Sequence, residues 1–462
     1  MKYPDDFLNK IICNDCLGTM REMPNNCIDT IITDPPYGLK FMGKKWDYDV
    51  PSIEIWQECL KVLKPGGTAL IFAGSRTQHR MAVNIEDAGF ILKDCIMWLY
   101  GSGFPKATDI SKQIDKKAGK KRKVIGKYRR PDGSGERTEK PSGTSNFGVG
   151  GDQFLTAPAT PEAILWNGWK SHGLKPAYEP ILVCMKPNEG SYANNALKWG
   201  EAGINVDGGR ISYENEEDRK EYTKKQKSFK NSESTKGYGN FKASNPATRI
   251  QTKGRYPANV ILDEEAGRLL DEQSEERRSA GNYKNIEIAK QGGGIFGGGE
   301  VQNNYANDTG GASRFFYCAK ASKAERNRGC EGLELKELKV SKIATDSFKC
   351  KVCGGWIRPN PNIDNRPNSR CFCKNPIPSE TKTQNKKVYN PHPTVKPLAL
   401  MKYLCTLTKT PTSGIVLDPF CGSGTTLMAC KELKRDYIGI DNNAEYCEIA
   451  KRRVNATPEP LF

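Results

Sequence analysis

The sequence predicts an α/β fold built on parallel strands, and three observations predict it. Short β-branched runs that stop at an aspartate occur near both ends of the chain. Segments of helical spacing follow them. The last eighty or so residues then read strand, glycine turn, helix, strand, an order that a parallel sheet with crossover helices satisfies. The chain has 462 residues, enough for two to three domains and a proper core, although only 37% are apolar.

Taken in order, Ile11-Ile12 is strand-like ahead of Asn14-Asp15-Cys16, and Ile28-Asp29-Thr30-Ile31-Ile32-Thr33 reads as a strand ending at Asp34. Glu54–Leu63 has helical spacing and stops at Pro65-Gly66-Gly67, after which Thr68–Phe72 reads as a buried strand. From about 106 to 157 and from about 188 to 307, glycine, serine, asparagine and charged residues dominate and the periodicity fades. Two apolar islands, Lys175–Val183 and Phe315–Lys320, read as core elements between these insertions. Order returns with a strand at Gly414–Asp418, a helix at Thr425–Leu433, a strand at Asp436–Ile440 and a closing helix at Ala444–Val454.

Lys plus Arg number 71 against 54 Asp plus Glu, a net charge of +17 that predicts a polyanionic partner, nucleic acid or an acidic membrane. No run of about eighteen apolar residues occurs, which argues against a transmembrane helix. The acidic start at Asp5-Asp6 does not resemble a secretion signal, and sixteen cysteines in so charged a chain suggest a reducing, cytoplasmic setting.

Two clusters carry chemistry. In Asp418-Pro419-Phe420-Cys421-Gly422-Ser423-Gly424-Thr425-Thr426, two glycines let the backbone approach a ligand, and the helix that follows offers free N–H groups. Asp441 ends the next strand, where an acid can accept hydrogen bonds from ribose hydroxyls. The third glycine of the dinucleotide fingerprint and a Walker lysine are both missing, so a nucleoside carrying a carboxylate, such as S-adenosylmethionine, fits better than NAD or ATP. Asp34-Pro35-Pro36-Tyr37 follows its strand at once. Its prolines remove N–H donors and leave a carboxylate and carbonyls as acceptors for the amino group of a base, and Tyr37 offers a face for stacking.

With these motifs the chain resembles the β-class amino-group (adenine-N6 or cytosine-N4) DNA methyltransferases of phage and prophage type, in which the target-base motif precedes the cofactor motif. Asp34, Pro35, Pro36 and Tyr37 match the catalytic tetrad, and Asp418, Phe420, Gly422, Ser423, Gly424, Thr425 and Thr426 match the cofactor loop. His392-Pro393-Thr394-Val395-Lys396-Pro397 matches the motif that helps hold the methionine end, through Thr394, Lys396 and Pro397. Asp15 matches the acid that contacts the cofactor adenine. Lys175–Pro180 and Phe316–Ala321 resemble further segments of these proteins.

The resemblance implies a Rossmann-like S-adenosylmethionine-dependent methyltransferase sheet with an inserted target-recognition region. On that basis residues 1–105 form the catalytic half and 106–345 the target-recognition region, with core segments near 160–187 and 310–330. Residues 385–462 form the cofactor-binding half, and the spacing of Cys350, Cys353, Cys371 and Cys373, apart from the resemblance, predicts a small zinc ribbon at 346–376. The aspartate that opens the tetrad, where many cytosine-N4 enzymes have serine, favours adenine N6 in double-stranded DNA. Cytosine N4 is the alternative, and a nucleic-acid-binding protein with an inactive core or a protein-directed methyltransferase are further ones.

Lys116, Lys117, Lys120, Lys121, Arg122, Lys123, Lys127, Arg129 and Arg130 form a segment suited to a phosphate backbone. Cys350-x2-Cys353 and Cys371-x-Cys373 make a quartet suited to tetrahedral structural zinc, although the second spacing is one residue short of the usual one.

Overall fold

The computed structural model describes residues 1–39, 47–101, 103, 107–127, 154–213, 216, 218–220, 254–274, 311–319, 325–330, 336–338, 348–349, 356–357, 386–388, 390–392 and 394–459. Two compact units divide the chain: residues 1–104, 176–331 and 392–462 form one, and 105–175 with 332–391 form the other.

The first unit is built on a nine-stranded sheet. Its strands are β1 (Lys10–Cys13), β2 (Ile28–Thr33), β3 (Leu63–Phe72), β4 (Ile91–Leu99), β5 (Tyr178–Met185), β6 (Val260–Asp263), β7 (Tyr317–Ala319), β8 (Val416–Asp418) and β9 (Tyr437–Asp441). Their spatial order is β1-β9-β8-β2-β3-β5-β4-β6-β7. All neighbours pair in parallel except β5, which runs antiparallel between β3 and β4, so the sheet is mixed and not parallel throughout. β2 is buried at every position, as expected of a strand covered on both faces.

Alternation along the strands sorts the core into two layers. Ile32, Leu70, Phe72, Ile181 and Val183 face α6 (Leu398–Leu407), α7 (Thr425–Glu432) and α8 (Ala444–Asn455). Ile31, Ala69, Ile71, Leu182 and Cys184 face α1 (Cys16–Arg21), α2 (Ile53–Val62) and α3 (Gln78–Asp87). Two more helices of this unit are α4 (Tyr192–Trp199) and α5 (Glu264–Ser274). Between β8 and β2 the chain departs in opposite directions, β2 leading to β3 and β8 to β9. Such a divergence opens a crevice at the carboxyl ends of the strands.

Pro65-Gly66-Gly67 follows the end of α2 and interrupts the pairing of β3 with β2, which resumes at Thr30 and Thr68. On the β5 side Gly66 N–H donates to Lys186 O at 3.0 Å and Lys186 N–H to Gly67 O at 3.1 Å. The expected core segments near 160–187 and 310–330 contain β5 and β7 of the sheet, and residues 176–331 belong to the first unit with them.

In the second unit, helix Ile110–Lys117 is capped by Asp109 and packs near helix Pro161–Leu165, beside an antiparallel hairpin of Lys123–Lys127 and Phe154–Ala157. The buried Asp115 ties these together. It accepts from Ala159 N–H and Thr160 N–H at 3.0 Å each, and from the Arg122 guanidinium at 2.8 Å. Arg122 also bonds Ser111 Oγ at 2.9 Å, so it is a structural residue and drops out of the expected phosphate-binding set. Lys116, Lys117, Lys120, Lys121 and Lys123 are exposed, whereas Arg129 and Arg130 lie outside the described residues. Cys350, Cys353, Cys371 and Cys373 lie outside them too, although short antiparallel strands at Phe348–Lys349 and Trp356–Ile357 bracket the first pair. No metal-binding cluster occurs among the described residues. No helix among them is long and apolar enough to cross a membrane.

Candidate active site

A cavity of about 630 Å³ opens in the first unit where β1, β9, β8, β2 and β4 end and β5 begins. Its walls include Asp15, the tetrad Asp34–Tyr37, Trp98, Glu179, Thr394–Lys396, Asp418–Ser423, Thr425, Thr426 and Asp441. The size is ordinary for a pocket that takes one small organic ligand.

One end is made by the glycine turn. Asp418, the last residue of β8, accepts from Thr33 Oγ1 at 2.7 Å, Thr426 Oγ1 at 2.6 Å and Phe420 N–H at 3.2 Å, so its carboxylate fastens the turn to β2. Burial pushes its carboxyl up to about 7 in spite of these donors. Gly422 and Gly424 have φ of +50° and +78°. A Cβ at Gly424 would stand 2.9 Å from that of Ala450, and one at Gly422 would stand 2.7 Å from His392 Nε2, so neither position has room for a side chain. Asp441 accepts from Gly422 N–H at 3.0 Å and Asn443 N–H at 2.8 Å, and burial raises its carboxyl. Asp15 caps α1 through Gly18 N–H at 2.8 Å.

Behind the turn stands a residue that sequence reasoning missed. Arg453 of α8 is fully buried and donates to Ser423 O at 2.5 Å, Ser423 Oγ at 3.0 Å and Thr425 Oγ1 at 3.1 Å. Burial lowers its guanidinium to about 10. An arginine at a core position of an amphipathic helix, between Ala450 and Val454, was the available signal. His392 packs edge-on to Tyr446 at 4.5 Å, and burial holds its imidazole down at about 4, hence neutral at pH 7. Cys421 lies within the turn, where burial pushes its thiol well above the ordinary range, as suits a small apolar packing residue. Gly424 and Pro397 act from behind the wall, Pro397 opening α6.

The other end is made by the tetrad. Tyr37 donates its hydroxyl to Asp34 Oδ1 at 2.6 Å, and burial, then the charges of Asp34 and Glu179, keep it a neutral phenol. Asp47, also missed, is buried and accepts from Tyr37 N–H at 2.8 Å and Gly38 N–H at 3.0 Å, fixing the loop after the tetrad. Lys396 was expected to hold the cofactor. It lines the cavity, with its ammonium 2.6 Å from Asp34 Oδ2 and 3.2 Å from Glu179 Oε2. Burial alone would lower that ammonium, but the two carboxylates raise it above its ordinary value.

Residues 28–452 match the family model of N6/N4 methyltransferases described as DNA methylase. The chain belongs to this DNA methylase family. Type II methyltransferase M.HpaI of Haemophilus parainfluenzae is 52% identical to it over 66 residues, 14% of this chain and 21% of that protein. Type II methyltransferase M2.MboI of Moraxella bovis is 46% identical over 77 residues, 17% of this chain and 26% of that protein. The chain thus spans about a quarter of the length of the curated relatives it matches. Among solved structures, M1.HpyAVI is 14% identical with a TM-score of 0.35, the alignment covering 96% of this chain and 98% of that one. The cytosine-N4-specific PvuII DNA methyltransferase is 11% identical with a TM-score of 0.38, covering 97% and 88%.

Proposed function

We propose that this DNA methylase transfers a methyl group from S-adenosylmethionine to the exocyclic N6 of adenine in double-stranded DNA. The observation that carries this reading is the shared cavity: the acceptor-rich tetrad and the glycine turn with Asp441 line the same walls. In the chain the tetrad precedes the turn, which fits the permuted, β-class order.

The residues present fit S-adenosylmethionine. Asp441 has both oxygens held by backbone N–H groups, yet each keeps a lone pair for a ribose hydroxyl. Asp15 would meet the adenine, and Thr394 with Ser423 the methionine end. Bound there, S-adenosylmethionine supplies an electrophilic methyl group on a sulfonium. Asp34 and the Pro35 carbonyl would each accept one N–H of the target amine, which localises its lone pair, while Tyr37 supports the base. An opening aspartate in the tetrad supports adenine over cytosine.

The second unit suits DNA. Five exposed lysines lie on and after helix Ile110–Lys117, and Trp169 O accepts from Ile110 N–H at 3.2 Å at the start of that helix. Trp169 is 61% exposed and stacks edge-on with Trp166 at 5.5 Å, an aromatic pair available to bases or sugars. A structural zinc on the four cysteines completes the reading, supported by their spacing and the bracketing strands. Metal analysis of the purified protein returning no zinc removes that part.

The test is incubation with isotope-labelled S-adenosylmethionine and unmethylated DNA, followed by digestion and mass spectrometry of the nucleosides. Labelled N6-methyladenine is expected. Labelled N4-methylcytosine keeps the site and corrects the base, and no labelled nucleoside overturns the reading.

A further inference from the structure

Asp34, Glu179 and Lys396 come from three distant stretches of the chain and meet in one cluster on the cavity wall. The Lys396 ammonium lies between the two carboxylates at 2.6 and 3.2 Å, and the Tyr37 hydroxyl bridges the same pair at 2.6 and 3.2 Å. The Lys396 side chain is 9% exposed, so water screens these charges weakly. Asp34 alone would suffice to accept an amine. An ammonium bonded to it cancels its charge, and Glu179 is the group that restores it. Two carboxylates sharing one ammonium leave the cluster with one net negative charge.

We propose that Glu179 is a positioning residue that counterbalances Lys396, so that the tetrad end stays anionic and favours the positive charge that methyl transfer brings there. The inference rests on the methyl-transfer reading. In the transfer, the amine lone pair forms the N–C bond while the C–S electron pair returns to sulfur, leaving a neutral thioether. The positive charge passes to the amine nitrogen, which then releases a proton to solvent. An anionic cluster fixed beforehand next to that nitrogen stabilises the charged state more than the neutral amine, and only such a difference speeds the reaction. Lys396 meanwhile holds Asp34 and Tyr37 in place through the bonds described.

Charge counting supplies the test. Glu179→Gln makes the cluster neutral, and adding Lys396→Met returns it to one net negative charge. Glu179→Gln should slow single-turnover transfer roughly ten- to a hundredfold. By calorimetry it should also lower the preference for the cationic cofactor over its neutral thioether product, a readout that needs no turnover. The double variant should recover the cofactor preference relative to Glu179→Gln. A Glu179→Gln protein with unchanged rate and preference overturns the proposal. So does a double variant whose cofactor preference stays as low as that of Glu179→Gln, since charge alone sets that readout whereas the rate also needs the bonds Lys396 makes to Asp34 and Tyr37. A wild type that transfers no methyl group overturns the activity reading itself and this inference with it.

Discussion

At the glycine-turn end of the cavity, most of the groups that meet lie near one another in the sequence, the bond from Thr33 to Asp418 being the long-range exception. Gly422 and Asp441 are 19 residues apart, and Asp418 and Thr426 are 8 apart. At the tetrad end, Lys396 reaches Asp34 across 362 residues and Tyr37 reaches Glu179 across 142. The first end is made of backbone held by buried acids, the second of side-chain charges brought together by the sheet. Substitutions at the turn should therefore act on folding and cofactor affinity, and those at the tetrad on the transfer itself.

The largest effect expected at the turn concerns pH. Asp418 binds its proton more tightly folded, near 7, than unfolded, near 3.8. The stability it contributes is thus complete below pH 4 and lost as pH rises through 7, up to about 4 kcal/mol. Thermal unfolding at pH 5 and pH 8 should show most of that loss, about 3 kcal/mol, in the wild type, and Asp418→Asn should flatten it. Matching pH profiles for the two proteins would contradict the assignment. Next, Asp441→Ala frees two backbone donors and a ribose-facing acceptor, costing about 2 kcal/mol, so the cofactor Kd should rise roughly thirtyfold. Transfer at saturating cofactor should be largely kept.

Gly424→Ala puts a Cβ against Ala450 at positive φ and should cost about 1–3 kcal/mol of stability, read as a lowered Tm. Outside the cavity, replacing one exposed lysine such as Lys120 by Ala should weaken DNA binding only a few-fold. It should reduce the slope of log K against log salt by about 0.9. An unchanged slope would remove Lys120 from the DNA contacts.

The same contrast explains what the sequence made legible. The turn could be read because glycine punctuation, strand ends and a capping acid are local signals, and Asp441 stands where the strand rule puts it. The tetrad could be read because its prolines restrict their own backbone. Glu179 could not, since one acid beside Tyr178 and Pro180 looks like any strand start until β5 is seen to run antiparallel between β3 and β4. Arg453 was hidden in the same way, because its partners Ser423 and Thr425 belong to another element. Pro65-Gly66-Gly67 could be read as the break before the strand because its chemistry is local, whereas its bonds to Lys186 could not.

The measurement that bears most directly on this division is calorimetric titration of Asp34→Ala with S-adenosylmethionine, run beside a methyl-transfer assay of the same protein. Cofactor affinity lowered no more than about tenfold, through the same lost charge as in Glu179→Gln, with transfer lost outright, is the predicted result. Loss of cofactor binding together with transfer would contradict it, because the tetrad would then belong to the cofactor site and the cavity would not have two separate ends.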